Sequence, residues 1–254
     1  MPGGKQKLSG YIIRKIPKCT EFREAMVGGG SVFLKAMETD LAYKYWINDL
    51  SYDIYSFWHC MSYANSREFL IGLIKSHFDL FTDVESRHRW YRLHRHSEKD
   101  GKLATAVRFF IINRMSFSGT AYSGGFSKSS AMNRYTKSSI ERLENLTTLD
   151  FVQVTNHDYE EILKYPGEDV HIFLDPPYKS ASALYGREGD LHKFNHERLA
   201  EALKVCKHSF TVTYDNHPEI YSLYKDWCNI EEIELPYSMG KNKVGKELLI
   251  QRIV

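Results

Sequence analysis

The sequence lacks the features of secreted, membrane-spanning and disulfide-stabilised chains. No apolar run among its 254 residues approaches the ~20 needed to cross a bilayer. The segment from Met1 to Ser9 has no apolar signal-peptide core. The four cysteines have neither metal-site nor redox-pair spacing. We therefore expect a cytoplasmic protein with reduced thiols and no membrane association.

A large net charge is also missing, because the formal charge is only +2. Its distribution is uneven, however: residues 85–142 hold 12 Lys and Arg against 4 Asp and Glu, so the remainder is acidic. This asymmetry is typical of a basic surface for a polyanion. A solvated charged surface explains the count equally well, so charge alone leaves both readings open.

Strand and helix signals alternate in both halves of the chain. Apolar runs predict strands at 22–27, 43–47, 151–154, 171–174 and 210–213. Helices are predicted at 8–16, from the capping candidate Ser31 onward, and at 195–206. The tail predicts an antiparallel hairpin, with strands at 230–235 and 247–253 around a Gly/Lys-rich turn. The fold class is therefore α/β.

A mostly helical insertion is predicted to interrupt this pattern at about 55–145. Apolar residues recur at helical spacing within 69–81 and 104–113. The stretch from 116 to 139 is rich in Ser, Gly and Asn, which predicts a surface loop or hairpin. We thus expect one domain built from 1–54 and 146–254, and a second formed by the insertion.

A glycine turn at Gly28-Gly29-Gly30 follows the first strand and opens a helix. Glycines let the backbone approach a ligand closely, and the helix N-terminus offers free N–H groups. Asp49 follows the next strand, nineteen residues on, where an acid can accept hydrogen bonds from ribose hydroxyls. Adjacent glycines do not match the dinucleotide pattern, which favours an adenosyl ligand without pyrophosphate. The alternative is a structural turn and a surface Asp.

The buried strand at 171–174 ends in the turn Asp175-Pro176-Pro177-Tyr178. The prolines stiffen this turn and remove two N–H donors, so it presents the Asp175 carboxylate and the Pro176 carbonyl as acceptors. Tyr178 adds a flat aromatic face. Two acceptors that hydrogen-bond to the N–H groups of an exocyclic amine would make its lone pair available to attack a neighbouring methyl group. Such a reaction depends on positioning and electrostatics.

The order of these motifs resembles that of the Dam-type, alpha-group (D12 class) DNA adenine-N6 methyltransferases. In that family a Gly-Gly-Lys motif, the glycine turn, a target-recognition insertion and Asp-Pro-Pro-Tyr follow one another. Here they are Gly3-Gly4-Lys5, residues 24–31, about 55–145, and 175–178. The likeness extends to residues 113–119 and to the strand at 246–250, so it covers nearly the whole chain. It implies a Rossmann-like class I methyltransferase sheet.

The resemblance implies S-adenosyl-L-methionine as methyl donor, S-adenosyl-L-homocysteine as product and double-stranded DNA as substrate, with the target adenine flipped out of the duplex. Asp175, Pro176, Pro177 and Tyr178 would form the catalytic turn, with Tyr178 stacking on the base. The donor would contact Lys5, Met26, Gly28, Gly30, Asp49, Asp158, Tyr159 and Asp175. The expected DNA contacts are Arg114, Phe117, Ser118, Tyr122 and Arg134, with Phe117 as a wedge.

Three positions depart from the family pattern. Met1-Pro2 replaces the aromatic residue that usually precedes Gly-Gly-Lys, and Ala25-Met26 replaces Pro-Phe in the glycine-turn motif. Tyr122 stands where family members that read GATC carry an arginine. Because a bidentate arginine is a major source of guanine recognition, we do not expect GATC specificity. Arg114 and Arg134 are candidates for base or phosphate contacts.

Other functions remain open at this point. The same acceptor pair could serve RNA adenine or a cytosine amine, and a DNA-binding protein without catalysis or a nucleotide-dependent oxidoreductase are further alternatives. His88, His94 and His96 lack a carboxylate or cysteine at metal-site spacing, so we expect a DNA-facing surface and no metal. We expect a monomer in solution, with a dimer on DNA left open.

Overall fold

The computed structural model describes residue 5 and residues 8–81, 83–97, 101–122, 124–179, 194–236 and 244–254. Within these residues the helices are α1 (Ser9–Lys15), α2 (Ser31–Glu38), α3 (Tyr52–Ser62), α4 (Ala64–Leu80), α5 (Val84–His94), α6 (Gly101–Met115), α7 (Lys128–Asn133), α8 (Lys137–Glu144), α9 (Tyr159–Lys164), α10 (His196–Val205) and α11 (Pro218–Tyr224). The strands are β1 (Cys19–Glu24), β2 (Ala42–Asn48), β3 (Val152–Thr155), β4 (Val170–Leu174), β5 (Ser209–Asp215), β6 (Asn229–Pro236) and β7 (Val244–Arg252).

The strands form one seven-stranded sheet in the order β3-β2-β1-β4-β5-β7-β6. Strand β1 pairs in parallel with β2 and β4, and β4 pairs in parallel with β5. The last two strands are antiparallel and form the predicted hairpin. This order and pairing confirm the expected Rossmann-like α/β sheet with a terminal antiparallel hairpin. The Gly/Lys-rich turn predicted between β6 and β7 lies outside the described residues.

The chain divides into two compact units, which are described separately. Of the described residues, the sheet-bearing unit comprises Lys5–Asn48 and those from His157 onward. Strands β4 and β5 are almost entirely buried, as their continuous apolar sequences predict. Helix α10 buries Leu199, Ala200 and Leu203 in the same core, and the Asn195 side chain caps it by accepting from the Arg198 amide at 2.9 Å.

The other unit, Asp49–Asn156, contains helices α3 to α8 and strand β3. Helix α6 is buried along most of its length, as its apolar sequence predicts. Its Phe110 stacks on Phe57 of α3, with ring centroids 6.1 Å apart. The Tyr135 hydroxyl donates to the Ile74 carbonyl at 2.7 Å, which ties the segment after α7 to α4. Packing of apolar helix faces therefore holds this unit together.

Two local predictions need correction. The stretch 116–139 contains a hairpin-like antiparallel bridge between Ser116 and Phe126, but also α7 and the first turn of α8. Some of its polar residues cap these helices: Ser127 accepts from the Ser130 amide, and Thr136 forms a capping box with Ser139. Secondly, the N-cap of α2 is Gly30, and Ser31 is already helical.

In the part of the chain that the structure describes, no helix combines the length and apolar character of a membrane span.

Candidate active site

The two motif-bearing turns follow neighbouring parallel strands. In the register of β1 and β4, Glu24 lies opposite Phe173, and the Ala25 amide donates to the Phe173 carbonyl at 3.0 Å. The carboxyl ends of parallel strands lie at the same sheet edge, and the chain leaves β1 and β4 at the point where strand order reverses. Ligands of open α/β sheets bind at such a point.

The glycine turn has a backbone that requires glycine. Gly28 and Gly30 have φ of +47° and +68°, in the left-handed region that side chains with a Cβ disfavour. The Gly30 amide donates to the Val27 carbonyl at 2.7 Å, which closes the turn before α2. A Cβ added to Gly28 would meet nothing within 4 Å, so the turn borders open space. Met26 packs against the core beside it.

The Asp175 carboxylate is held by two donors on the same oxygen. The fully buried Thr213, on β5, donates from its hydroxyl to Asp175 Oδ1 at 2.8 Å. The Lys5 ammonium lies 2.9 Å from the same atom. The carboxylate is 22% exposed, so one side of it faces solvent-accessible space. The turn therefore presents a carboxylate acceptor that is held by two donors.

Lys5 links Asp175 to two further side chains. Its ammonium group donates to the Tyr178 hydroxyl, lies 4.6 Å from the centroid of that ring and is 3.4 Å from Glu247 Oε2 on β7. Burial acts to lower the pKa of Lys5, but attraction to Asp175 and Glu247 outweighs it, so the pKa is raised and the ammonium stays charged. Lys5, a predicted donor contact, thus contacts two residues of the Asp-Pro-Pro-Tyr turn.

Asp158 and Tyr159 begin α9. The Asp158 carboxylate caps this helix by accepting from the Glu160 amide at 2.9 Å, and it accepts from both terminal nitrogens of Arg198 at 3.1 and 3.2 Å. The Arg198 guanidinium also lies 5.1 Å from the centroid of the Tyr159 ring, which is buried. Arg198 therefore fixes both predicted donor contacts, a role that the sequence did not reveal.

Asp49 belongs to the other unit, where its carboxylate accepts from the Ser51 amide at 2.9 Å before α3. The described contacts therefore bring Lys5, Asp175 and Tyr178 together, whereas Asp158 and Tyr159 form a separate cluster. The sequence missed Glu247 and Thr213. Thr213 lies between the apolar residues Val212 and Tyr214, and Glu247 directly precedes the apolar run Leu248 to Ile250; no local sequence pattern marked either residue.

The predicted wedge, Phe117, opens a tight 3₁₀ turn that ends at Gly119, and its ring is 65% exposed. Ser118 adopts a left-handed φ of 51°. The Asn113 side chain donates to the Gly119 carbonyl at 2.7 Å, and the Arg134 guanidinium lies against Gly119, so that a Cβ there would displace it. The turn is thus buttressed while Phe117 projects to solvent.

Arg114 and Arg134 belong to a cluster of cations. Arg114 lies over the Phe110 ring, 5.0 Å from its centroid. Burial, together with repulsion from Arg134 and Arg142, lowers its pKa to about 10. Among the residues that the structure describes, no carboxylate lies within ion-pair distance of Arg114 or Arg134. Such a cluster is ready to accept an anion.

Tyr122 and the histidines make other contacts. The Tyr122 hydroxyl donates to Asp53 at 3.0 Å, and Arg108 lies 4.0 Å from the same carboxylate. His88 stacks on Phe126 and His94 on Trp90. A groove of about 310 Å³ is lined by His88, Tyr91, Arg92, Arg95, His96 and Phe126. Over the described residues, no three His, Cys, Asp or Glu side chains are grouped to hold a metal.

Comparison with known proteins identifies one family model, that of the D12 class N6 adenine-specific DNA methyltransferases, which matches residues 2–239. No curated protein matches the chain. Similar solved structures include the B. subtilis M1A22 tRNA methyltransferase TrmK, with 10% identity, a TM-score of 0.43 and coverage of 98% of this chain and 66% of TrmK. A putative RNA methyltransferase from Pyrococcus horikoshii has 10% identity, a TM-score of 0.41 and coverage of 99% and 82%.

Proposed function

The chain belongs to the D12 class of N6 adenine-specific DNA methyltransferases, and we propose that it transfers a methyl group from S-adenosyl-L-methionine to a flipped-out adenine in duplex DNA. The observation that carries this proposal is the Asp175-Pro176-Pro177-Tyr178 turn. Its carboxylate is fixed by Lys5 and Thr213 at the end of β4, beside the strand that leads into the glycine turn.

The residues present fit the donor. The turn at Gly28 and Gly30 offers close backbone approach beside open space, and the acidic groups of Asp175 and Glu247 suit a cation. Met26 lies beside the turn, and Asp158 with Tyr159 would border the adenine of the donor. Asp49 keeps its proposed role as acceptor for the ribose. When bound, the donor supplies an electrophilic methyl group on a cationic sulfur.

The protein groups act on the adenine amine. The Asp175 carboxylate and the Pro176 carbonyl accept hydrogen bonds from its two N–H groups, which favours a tetrahedral nitrogen with an available lone pair. After transfer, the methylated nitrogen loses one of these two protons. Tyr178 stacks on the base, and Lys5 holds both Tyr178 and Asp175 in place. Pro177 keeps the turn rigid, so that little reorganisation accompanies the reaction.

The unit that contains α3 to α8 is proposed to recognise DNA. Its support is the pair Arg114 and Arg134, for which the described residues provide no carboxylate partner, next to the turn that exposes Phe117 and Ser118. Phe117 would fill the space left by the flipped base. Because the Tyr122 hydroxyl is bound to Asp53 and no arginine occupies this position, the target sequence is proposed to differ from GATC.

The test is methyl transfer with a donor that carries an isotope-labelled methyl group. Duplex DNA of mixed sequence, single-stranded DNA and structured RNA are incubated separately, digested to nucleosides and analysed by mass spectrometry. We expect label on adenine N6 in duplex DNA. Label confined to RNA or to cytosine would replace the proposed substrate, and tight donor and DNA binding with no label anywhere would indicate a binding protein without catalysis.

Base flipping and target sequence need separate measurements. 2-Aminopurine placed at the target adenine gains fluorescence when it is unstacked, so a rise on protein binding is expected; unchanged fluorescence despite saturation would contradict flipping.

Methylation mapping on DNA from cells that express the chain identifies the target. A map confined to GATC would overturn the interpretation of Tyr122.

A further inference from the structure

Glu247 is a buried acid in an apolar part of β7. Only 7% of its surface is exposed, and the three residues that follow, Leu248, Leu249 and Ile250, are fully buried. Burial raises the pKa of its carboxyl group, and nearby Lys5 offsets this only in part. An ionised carboxylate is costly in such a place unless it is paired and hydrogen-bonded. The contacts of Glu247 therefore indicate why an acid stands there.

These contacts lead directly to the catalytic turn. The Tyr178 hydroxyl hydrogen-bonds to Glu247, and Lys5 donates to that same hydroxyl. The Lys5 ammonium lies 3.4 Å from Glu247 and 2.9 Å from Asp175. Glu247 thus contacts both side chains that hold the turn.

The three charges of this cluster do not cancel. Asp175 and Glu247 are acids, whereas Lys5 is the cation that pairs with both. The two carboxylates keep Lys5 protonated, since their attraction raises its pKa despite burial. With both acids ionised, this cluster of Lys5, Asp175 and Glu247 has a net charge of one negative unit.

We propose that Glu247 is a positioning residue that holds Lys5 and Tyr178 at the catalytic turn, and that its charge makes the centre selective for the cationic sulfonium donor over the neutral thioether product. This inference rests on the proposed function. A negative centre attracts the sulfonium but not the uncharged sulfur of the product, and the attraction is large where burial limits screening. Selective attraction would also favour release of product after transfer.

The experiment compares the affinities for S-adenosyl-L-methionine and S-adenosyl-L-homocysteine by calorimetry, without DNA, in the full-length chain. The variant Glu247→Gln keeps the shape of the side chain and removes its charge. We expect donor affinity to fall on the order of tenfold with little change in product affinity, so that their ratio falls equally. The matched control is Glu232→Gln, an exposed acid on the neighbouring strand β6, which should leave both affinities unchanged.

A second variant separates charge from fold. Lys5→Met combined with Glu247→Gln again leaves one net negative charge, so the affinity ratio should return to within about threefold of the unmodified protein. An equal loss of both affinities in Glu247→Gln, an unchanged ratio, or a double variant as unselective as Glu247→Gln would overturn the charge assignment. Thermal unfolding identifies any variant that fails to fold. If Glu247→Gln fails to fold, the affinity ratio of the double variant tests the charge assignment in its place.

Failure of this inference is distinguishable from failure of the proposed function. If the unmodified protein binds neither compound, the donor assignment itself is wrong. If it binds the donor and methylates DNA while Glu247→Gln retains the original ratio, only the role of Glu247 is wrong.

Discussion

Lys5 and Arg23 in one unit, and Arg114 in the other, differ in the partners of their charges. In the sheet-bearing unit, Lys5 is matched by Asp175 and Glu247, and the fully buried Arg23 donates to Glu21 and to the carbonyls of residues 162, 165 and 166. In the other unit, the charge of Arg114 faces Arg134 and Arg142. The cations of the first arrangement have carboxylate or carbonyl partners, whereas no carboxylate of the described residues lies within ion-pair distance of Arg114.

This difference matches the proposal that one unit carries out methyl transfer and the other recognises DNA. Chemistry on a neutral amine needs fixed groups that do not reorganise, and paired charges provide them. Binding to a polyanion gains from cations that have no internal partner, because counterions leave the DNA as the protein neutralises phosphates. Substitutions in the two units should therefore separate methyl transfer from DNA affinity.

The largest effect is expected for Asp175→Ala. Loss of the central acceptor should reduce single-turnover methyl transfer by roughly a thousandfold, the range known for removal of one preorganised catalytic group. DNA affinity, measured by filter binding, should change less than about threefold. Asp226→Ala, an exposed acid of the same unit, is the control and should remain active. Retained transfer by Asp175→Ala would remove the turn from the mechanism.

The next effect is expected for Arg114→Gln combined with Arg134→Gln. DNA affinity at low salt should fall by about ten- to a hundredfold, and the slope of log affinity against log salt should decrease by about two. The affinity for S-adenosyl-L-methionine should not change. Lys75→Gln is the matched control, because this exposed cation of the same unit already pairs with Glu144 at 2.8 Å. An unaltered salt dependence in the double variant would show that these arginines do not contact the phosphates of the DNA.

A smaller effect should follow from Thr213→Val. This change keeps the shape of the side chain but removes the hydroxyl that donates to Asp175, so kcat should fall by about tenfold. Thr213→Ser restores the donor and should recover most of the activity. If valine and serine at this position give equal kcat values, the hydrogen bond does not position Asp175.

The smallest effect at neutral pH concerns His171. Burial lowers the pKa of His171 to about 3, so it stays uncharged in the folded protein while the unfolded chain takes up a proton below about pH 6.5. Its contribution to stability is therefore present above pH 6.5 and is lost as the pH falls, by about 1.4 kcal/mol per unit until the folded pKa.

Urea unfolding between pH 7.5 and 4.5 measures this dependence. In His171→Gln the acid-side decline should be shallower by that amount than in the unmodified protein. Equal slopes in the two proteins would mean that folding does not lower the pKa of His171.

The sequence predicted the elements whose signals are local. Strand β4 and its turn, the terminal hairpin and the glycine turn follow from apolar runs, prolines and glycines. Helix α7 within the stretch 116–139 was missed because Ser and Thr favour both loops and helix caps, and only the surrounding contacts distinguish the two.

Part of the site could not be predicted because its contacts are remote in sequence. Lys5 and Glu247 come from opposite ends of the chain, and the pairing of β5 with β7 brings that end to the sheet. No local pattern encodes such a pair. The resemblance identified Lys5 by its motif, but the acid that balances it was recognisable only once the sheet order was known.

The most direct test of the account measures both activities in the same pair of proteins: Asp175→Ala, and Arg114→Gln with Arg134→Gln. Single-turnover methyl transfer at saturating DNA and equilibrium DNA affinity are determined for each. The account predicts that the first protein binds DNA but does not transfer, and that the second transfers at a near-normal rate once DNA is saturating. Loss of DNA binding in the first, or loss of transfer at saturation in the second, would contradict the separation of the two functions.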